Sequence, residues 1–120
     1  MAREHTEHFS KNELSCPHCG VMGMDQEFMD ILEAVRKEYG KPMKLNSSFR
    51  CREHNEAIGA KSTSSHCLGV AVDIACEGSG QRFDLIRHLS KHVTRLGIGQ
   101  EFLHADYDLN KSQNVIWTYY

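Results

Sequence analysis

Three residues have the types and the spacing of a metal-binding set: His66, Asp73 and His104. His66 and Asp73 lie seven residues apart, with Gly69 and an apolar run between them, and His104 follows in a second apolar stretch. Two neutral imidazoles and one carboxylate can bind zinc on three sides and leave the fourth position open for water. Such a centre lowers the pKa of water and polarises a carbonyl group. We therefore predict one catalytic zinc ion (Zn2+) at these three residues.

A hydrolytic zinc site also needs a carboxylate that is not a ligand, to move the proton of the attacking water to the leaving amine. Two candidates lie beside His104: Glu101, three residues before it, and Asp106, two residues after it. In an unbroken strand Glu101 would face away from His104, so it reaches the site only if residues 99–101 belong to the preceding turn. Asp106 shares the face of His104, but it could instead orient a ligand histidine. The residues alone leave this choice open.

A second group of ligand types is a CxxC motif formed by Cys16 and Cys19. A structural zinc site needs four ligands, so Cys51, Cys67 or His18 would have to complete the set through tertiary contact. The default interpretation is two thiols in a tight turn, and a structural metal is the alternative. The five cysteines form an odd number in a chain without an evident export signal, which favours reduced thiols over a disulfide framework.

Two amphipathic helices and about four short strands are predicted to position these groups. An apolar spacing of 3.6 residues predicts one helix over residues 25–39 and another over roughly 81–95, ended by Gly97. Alternating patterns predict strands over these ranges: 43–48, 70–74, 102–107 and 115–120. Residues 108–114 have the composition of a hairpin loop. We predict an α+β fold with a small, mainly antiparallel sheet packed against the two helices.

Strand alternation also predicts the direction of two candidate ligands. Asp73 lies on the face opposite Val72 and the other large apolar residues of its strand. His104 shares a face with Asp106. Ligands on strands that are held by backbone hydrogen bonds would form the rigid site that catalysis requires.

Length and composition restrict the class of protein. The chain has 120 residues, 40% of them hydrophobic, and a net charge of -2, so we predict a single compact domain over residues 1–120. Residues 1–23 are predicted to be an irregular lead-in that contains the CxxC motif and is anchored by Phe9 and Leu14. No broad basic surface indicates nucleic-acid binding, and no apolar run approaches the roughly 20 residues that cross a membrane. We expect a monomer.

Together the motifs resemble the zinc D-Ala-D-Ala carboxypeptidase family. The matching signature positions are Ser64, His66, Gly69, Ala71, Asp73 and Ile74. Residues 47–50, followed by 54–55, resemble the family's Ser-Gly-Tyr-Arg segment and its His-Asn pair, and residues 102–106 resemble the segment with the last histidine. The related superfamily includes lysostaphin-type peptidases, phage endolysins and the hedgehog domain. Residues 9–14 are similar to the opening of its small phage-associated branch.

The resemblance implies a role for each matched residue. It implies that His66, Asp73 and His104 bind zinc and that Glu101 is the general base and acid. Arg50 corresponds to an arginine that holds the substrate and stabilises the developing oxyanion. Ser64 corresponds to a serine that lines the site. Asp106 stays a rival base or a residue that orients a ligand.

The resemblance also implies a function and a place of action. It implies hydrolysis of a peptide bond in the stem peptide of bacterial peptidoglycan, by a carboxypeptidase or an endopeptidase of endolysin type. The polar start lacks the apolar core of a secretory signal, so we expect synthesis in the bacterial cytoplasm. Access to the wall would follow holin-type release or incorporation in a virion. The alternatives are a non-catalytic zinc-binding domain of the same fold and a regulatory zinc domain built around the CxxC motif.

Overall fold

The computed structural model describes residues 3–120, which form four α-helices, one short 3-10 helix and one sheet of five strands. The helices are α1 (Lys11–Leu14), α2 (Gln26–Tyr39), α3 (Arg52–Ala57) and α4 (Ser79–Leu89), and the 3-10 helix is Ser65–Leu68. The strands are β1 (Leu45–Ser47), β2 (Ala71–Ala75), β3 (Arg95–Ile98), β4 (Phe102–Asp106) and β5 (Val115–Thr118). In the described part of the chain, every helix is too short or too polar to cross a membrane.

Helix α2 begins and ends where its capping residues require. The Asp25 carboxylate accepts a hydrogen bond from the N–H of Phe28 at 2.9 Å, which satisfies one of the free donors of the first turn. Gly40 ends the helix in the left-handed conformation with φ 73° and donates its N–H to the Arg36 carbonyl. The prediction of a helix over residues 25–39 is confirmed.

The sheet has the strand order β1-β2-β4-β3-β5. Three of its four strand pairs are antiparallel, and β5 runs parallel to β3. The predicted α+β fold with a mainly antiparallel sheet and two main helices is therefore confirmed, with five strands instead of about four. The fifth strand is β3, in a stretch where the sequence pattern does not indicate one.

The second helix was predicted too long. Helix α4 ends at Leu89, and residues 95–98 pair with β4 on one edge and with β5 on the other. Val93 and Leu96 continue the helical spacing, yet both become buried through a turn and a strand. Hydrogen-bonded pairing on two edges outweighs the local helical pattern here.

The interpretation of residues 108–114 as a hairpin loop between neighbouring strands is also wrong. Both edges of β4 are already paired, with β2 and with β3, so β5 cannot lie beside it. The chain instead passes beyond β3 and adds β5 at the edge of the sheet, parallel to β3.

One face of the sheet builds the core, and the other is left for polar groups. Val72, Leu96 and Leu103 lie in an apolar cluster with residues of α2 and α4. The lead-in joins this core through Phe9 and Leu14, which are buried as predicted. Asp73 and His104 lie on the opposite face, as the alternation predicted.

Candidate metal centre

One row of residues crosses the open face of the sheet. Asp73 on β2 pairs with His104 on β4, His104 pairs with Gly97 on β3, and Gly97 pairs with Trp117 on β5. Directly opposed residues on antiparallel strands have side chains about 4.5–5.5 Å apart at Cβ. The sheet register therefore brings the Asp73 carboxylate and the His104 imidazole side by side.

His66 reaches the same place from the 3-10 helix that precedes β2. Ser64 caps that helix, accepting the N–H of His66 at its hydroxyl oxygen. Gly69 ends the helix with φ +72°, and a Cβ there would lie 2.0 Å from the carbonyl oxygen of Gly23, so only glycine fits. The Nδ1–H of His66 donates to the Ser48 carbonyl at 2.8 Å. This hydrogen bond fixes the ring and leaves Nε2 available as a metal ligand.

His66, Asp73 and His104, here called the cavity cluster, have ligand atoms that all lie within 4.8 Å of one another. His66 Nε2 lies 3.4 Å from Asp73 Oδ2, and His104 Nδ1 lies 2.9 Å from Asp73 Oδ1. Ligands about 2.0–2.2 Å from a tetrahedral zinc ion are separated by roughly 3.4 Å from each other. The donor types and their spacing therefore fit zinc.

The His104 ring lies between two carboxylates. Its Nδ1 faces Asp73, and its Nε2 lies 2.7 Å from Asp106 Oδ2. Burial alone would lower the pKa of His104, but hydrogen bonds to Asp106 and Asp73 outweigh burial and raise it. Burial would likewise raise the pKa of Asp73, but its hydrogen bonds to His104 and His66 lower it. The surroundings favour a positive charge next to Asp73.

Asp106 is fully engaged on the far side of His104. Its Oδ2 accepts from the His104 ring, and its Oδ1 accepts from Arg95 Nε at 2.7 Å and from the Asp108 N–H at 3.1 Å. The side chain is 1% exposed, and although burial would raise its pKa, these partners lower it. A carboxylate in this position orients the histidine and is poorly placed to take a proton from water on the Asp73 side.

Glu101 lies in the turn between β3 and β4, as it must if its side chain is to reach the site of His104. Its side chain is exposed. Within residues 3–120 it lines a shallow neighbouring depression, not the cavity that contains the cavity cluster. Phe102 and Tyr119 line both spaces. Glu101 therefore lies next to the cavity but does not line it.

Arg50 and Ser64, the remaining predicted site residues, both line the cavity. The Arg50 guanidinium is buried and donates to Asn55 Oδ1 at 3.0 Å and to Ser47 Oγ at 3.2 Å. Both partners are neutral, and none of the ion pairs formed within residues 3–120 includes Arg50. Its charge is therefore held in place without being neutralised.

The sequence interpretation missed three residues that form the opposite wall. Trp117 lies on β5, with its ring centre 5.6 Å from that of His104. Tyr119 follows the strand, with its ring centre 6.4 Å from that of His104. Arg95 stacks on Trp117 with its guanidinium 4.9 Å from the ring centre. Gly97 makes this wall possible, because a Cβ there would lie within 2.8 Å of both aromatic side chains. The cavity has a volume of about 420 Å³.

Cys16 and Cys19 lie outside this cavity, together with Cys51, and the three are here called the thiol cluster. Their sulfur atoms all lie within 4.8 Å of one another. Burial would raise the pKa of the Cys16 thiol, but hydrogen bonds from the N–H groups of Cys51, Cys19 and His18 lower it to about 7. The structure thus adds Cys51 to the predicted pair.

A family model described as Peptidase M15 matches residues 7–106 of the chain. The matched range includes the cavity cluster, Arg50 and Glu101. No curated protein of known function matches the chain. The family match confirms the resemblance that the motifs predicted, whereas the phage-associated branch stays a prediction.

Proposed function

The chain belongs to the peptidase M15 family of zinc D-Ala-D-Ala carboxypeptidases, and we propose that it hydrolyses a peptide bond in the stem peptide of bacterial peptidoglycan. Family membership supports a metallopeptidase. The observation that carries the finer proposal is the convergence of His66, Asp73 and His104 in one cavity, with ligand atoms within 4.8 Å. Zinc bound by these three would polarise the scissile carbonyl and lower the pKa of water.

The second ring nitrogen of each histidine makes a hydrogen bond that fixes the orientation of the ring. His66 is fixed by the Ser48 carbonyl and His104 by Asp106, so each presents one defined nitrogen toward Asp73. Arg95 in turn holds Asp106. The resulting chain of contacts supports Asp106 as the residue that orients His104.

We assign proton transfer to Glu101. It would take a proton from the attacking water and give it to the leaving nitrogen, which a carboxylate with a free side chain can do. Two observations support the assignment: Glu101 lies in a turn next to the cavity, and Asp106 already accepts three hydrogen bonds. Catalysis then requires the Glu101 side chain to swing past Phe102 and Tyr119 into the cavity.

Arg50 is proposed to bind the substrate. Its guanidinium is buried, fixed by Asn55 and Ser47, and faces the cavity. Such a group can bind a carboxylate of the stem peptide or the oxyanion that develops on the scissile carbonyl. Ser64 would line the same site while its hydroxyl holds the His66 backbone.

The direct test is hydrolysis of purified peptidoglycan by the zinc-loaded chain. We expect release of soluble products from wild-type protein and loss of that release in His66→Ala. Mass spectrometry of the products distinguishes the two reaction types, because free D-alanine indicates a carboxypeptidase and a new amino terminus within the stem indicates an endopeptidase. A folded, zinc-binding wild-type protein without any hydrolysis would contradict the proposal.

The second candidate is a non-catalytic zinc-binding domain of the same fold. The position of Glu101 outside the cavity lining favours it. It predicts zinc binding and binding to wall fragments, with no turnover. We further propose that the chain acts as a monomer on the wall after holin-type release or as a virion component, since the family implies a wall substrate.

A further inference from the structure

The thiol cluster is built from two distant parts of the chain. Cys16 and Cys19 lie between α1 and α2, and Cys51 is the N-cap residue of α3. All three are free thiols, and Cys16 is 1% exposed while Cys19 is exposed. The three cysteines therefore converge from positions up to 35 residues apart in the sequence.

The turn that carries the first two thiols is shaped to present both to one point. The Gly20 N–H donates to the Cys16 carbonyl at 2.8 Å, and the Cys16 N–H donates to the Val21 carbonyl at 2.8 Å. Gly20 takes φ +75°, which closes the turn. The N–H of Cys51 also points at the Cys16 sulfur at 3.4 Å. Amide groups directed at sulfur stabilise a thiolate, which is the form that binds metals.

Two imidazoles border the cluster. His54 lies three residues after Cys51, and its backbone N–H donates to the Cys51 sulfur at 3.4 Å. These are the N-cap and N3 positions of a helix, whose side chains approach each other. The His18 ring stacks on the His54 ring with centres 5.7 Å apart. His18 Nε2 also lies 3.7 Å from the Glu53 carboxylate, whereas the ion pairs within residues 3–120 do not include His54.

We propose that Cys16, Cys19 and Cys51 bind a structural zinc ion, with His54 as the fourth ligand. Three thiolates and one imidazole are a common set for closed tetrahedral zinc sites. The three cysteines need no backbone rearrangement to converge, since their sulfur atoms already lie within 4.8 Å of one another, and the His54 imidazole would have to turn toward them. A single disulfide would leave the third thiol unused, whereas one metal ion engages all three.

The site would connect the lead-in to the substrate-binding residue. Cys51 directly follows Arg50, whose N–H donates to the His66 carbonyl at 3.2 Å. A metal that joins Cys51 to Cys16 therefore fixes the segment that carries Arg50. Ser48, which fixes His66, is also joined to this region, because its hydroxyl donates to the Glu13 carbonyl at 2.9 Å. The structural metal would support the cavity from behind.

The first experiment counts zinc per chain in the 120-residue protein after removal of loosely bound metal. We expect two zinc ions in wild type, one in Cys19→Ser and one in His66→Ala. Cys67→Ser is the matched control, because Cys67 is a partly exposed thiol outside the cluster, and it should keep two. Cys19 is preferred to Cys16 because its exposed side chain can change without a packing loss. An unchanged count in Cys19→Ser overturns the proposal.

The second experiment replaces zinc by cobalt(II), whose bonds to thiolates absorb in the near ultraviolet. We expect this band in wild type and in His66→Ala, and its loss in Cys19→Ser. In the same preparation, unfolded without reductant, all five cysteines should react with a thiol reagent. A disulfide detected instead overturns the proposal. His54→Ala is expected to weaken zinc binding at this site by at least tenfold, and His18→Ala much less. Equal affinity in wild type and His54→Ala overturns the assignment of the fourth ligand.

Discussion

The cavity cluster and the thiol cluster each bring three ligand atoms together, but their chemistry differs in charge. Two neutral imidazoles and one carboxylate leave a bound divalent ion with a net charge of about +1, and three thiolates leave about −1. A net positive centre polarises a carbonyl group more strongly than a net negative one. The cavity cluster is therefore the better suited of the two to hydrolysis.

The two clusters also differ in the backbone that carries them. Asp73 and His104 lie opposite each other on paired strands, and His66 is fixed by the Ser48 carbonyl. The thiol cluster lies on a turn and on the start of a six-residue helix. Paired strands hold ligand directions without a metal, whereas turns and helix ends gain most from one. Loss of a ligand should therefore affect activity in the first cluster and stability in the second.

The largest effect is expected for Asp73→Asn. The amide has the shape of the carboxylate but not its charge, so we expect the rate of peptidoglycan hydrolysis to fall about 10³-fold. The melting temperature should change little, because the strands stay paired. Product release and thermal unfolding of the same sample measure both. Asp84→Asn, on the surface of α4, is the matched control. Activity of Asp73→Asn within tenfold of wild type would remove this residue from the site.

The next effect separates the two acids beside His104. Glu101→Gln should lower the hydrolysis rate about 10²-fold or more without changing zinc affinity, since it removes only the proposed proton carrier. Asp106→Asn should weaken zinc binding about 10- to 100-fold, because the orienting partner of His104 is lost. Titration with zinc and hydrolysis assays at saturating zinc distinguish the two patterns.

The opposite pattern would reverse the assignment of the base. Hydrolysis that survives Glu101→Gln but is lost in Asp106→Asn at saturating zinc would make Asp106 the proton carrier. It would also mean that the contacts of Asp106 with Arg95 and the Asp108 N–H open during the reaction.

A smaller effect, and one on stability, is expected for Cys19→Ser. Loss of the proposed structural metal should lower the free energy of unfolding by about 2–3 kcal/mol, since that metal binds only the folded chain. For a chain of this length the melting temperature would fall by roughly 10 °C. Thermal unfolding with and without a chelator measures it. A chelator should destabilise wild type and Cys67→Ser more than Cys19→Ser, which has only the cavity zinc left to lose. Equal melting temperatures for all three without chelator would contradict the comparison.

The convergence of the three residues of the cavity cluster could be predicted because each position depends on a local pattern. Alternation with one buried face specifies the register of β2 and β4 strongly, since a slip by one residue would move Asp73 into the core. The α2 boundaries followed from Asp25 and Gly40 in the same local way. Family resemblance then added roles for Arg50 and Glu101 that spacing alone does not provide.

The wall opposite these ligands could not be predicted, because it depends on non-local pairing. Trp117 faces His104 only because β5 pairs in parallel with β3. Nothing in the sequence of residues 108–118 indicates that β3 is the pairing partner. The end of α4 was missed for the same reason. Cys51 joins the thiol cluster through a tertiary contact, which the sequence allowed without selecting it from the other candidates.

The smallest effect is expected for Trp117→Ala, at the wall of the cavity. The change removes an aromatic surface beside His104 and the stacking partner of Arg95. Aromatic contacts of this kind contribute about 1 kcal/mol, so we expect KM for wall fragments to rise about fivefold with kcat less affected. Ile116→Ala is the matched control, because Ile116 is the neighbouring, exposed residue of β5 and does not line the cavity. Steady-state kinetics of both variants provide the test. Equal KM values would mean that substrate does not contact this wall, and a loss confined to kcat would mean that Trp117 acts on His104 through Arg95 and Asp106.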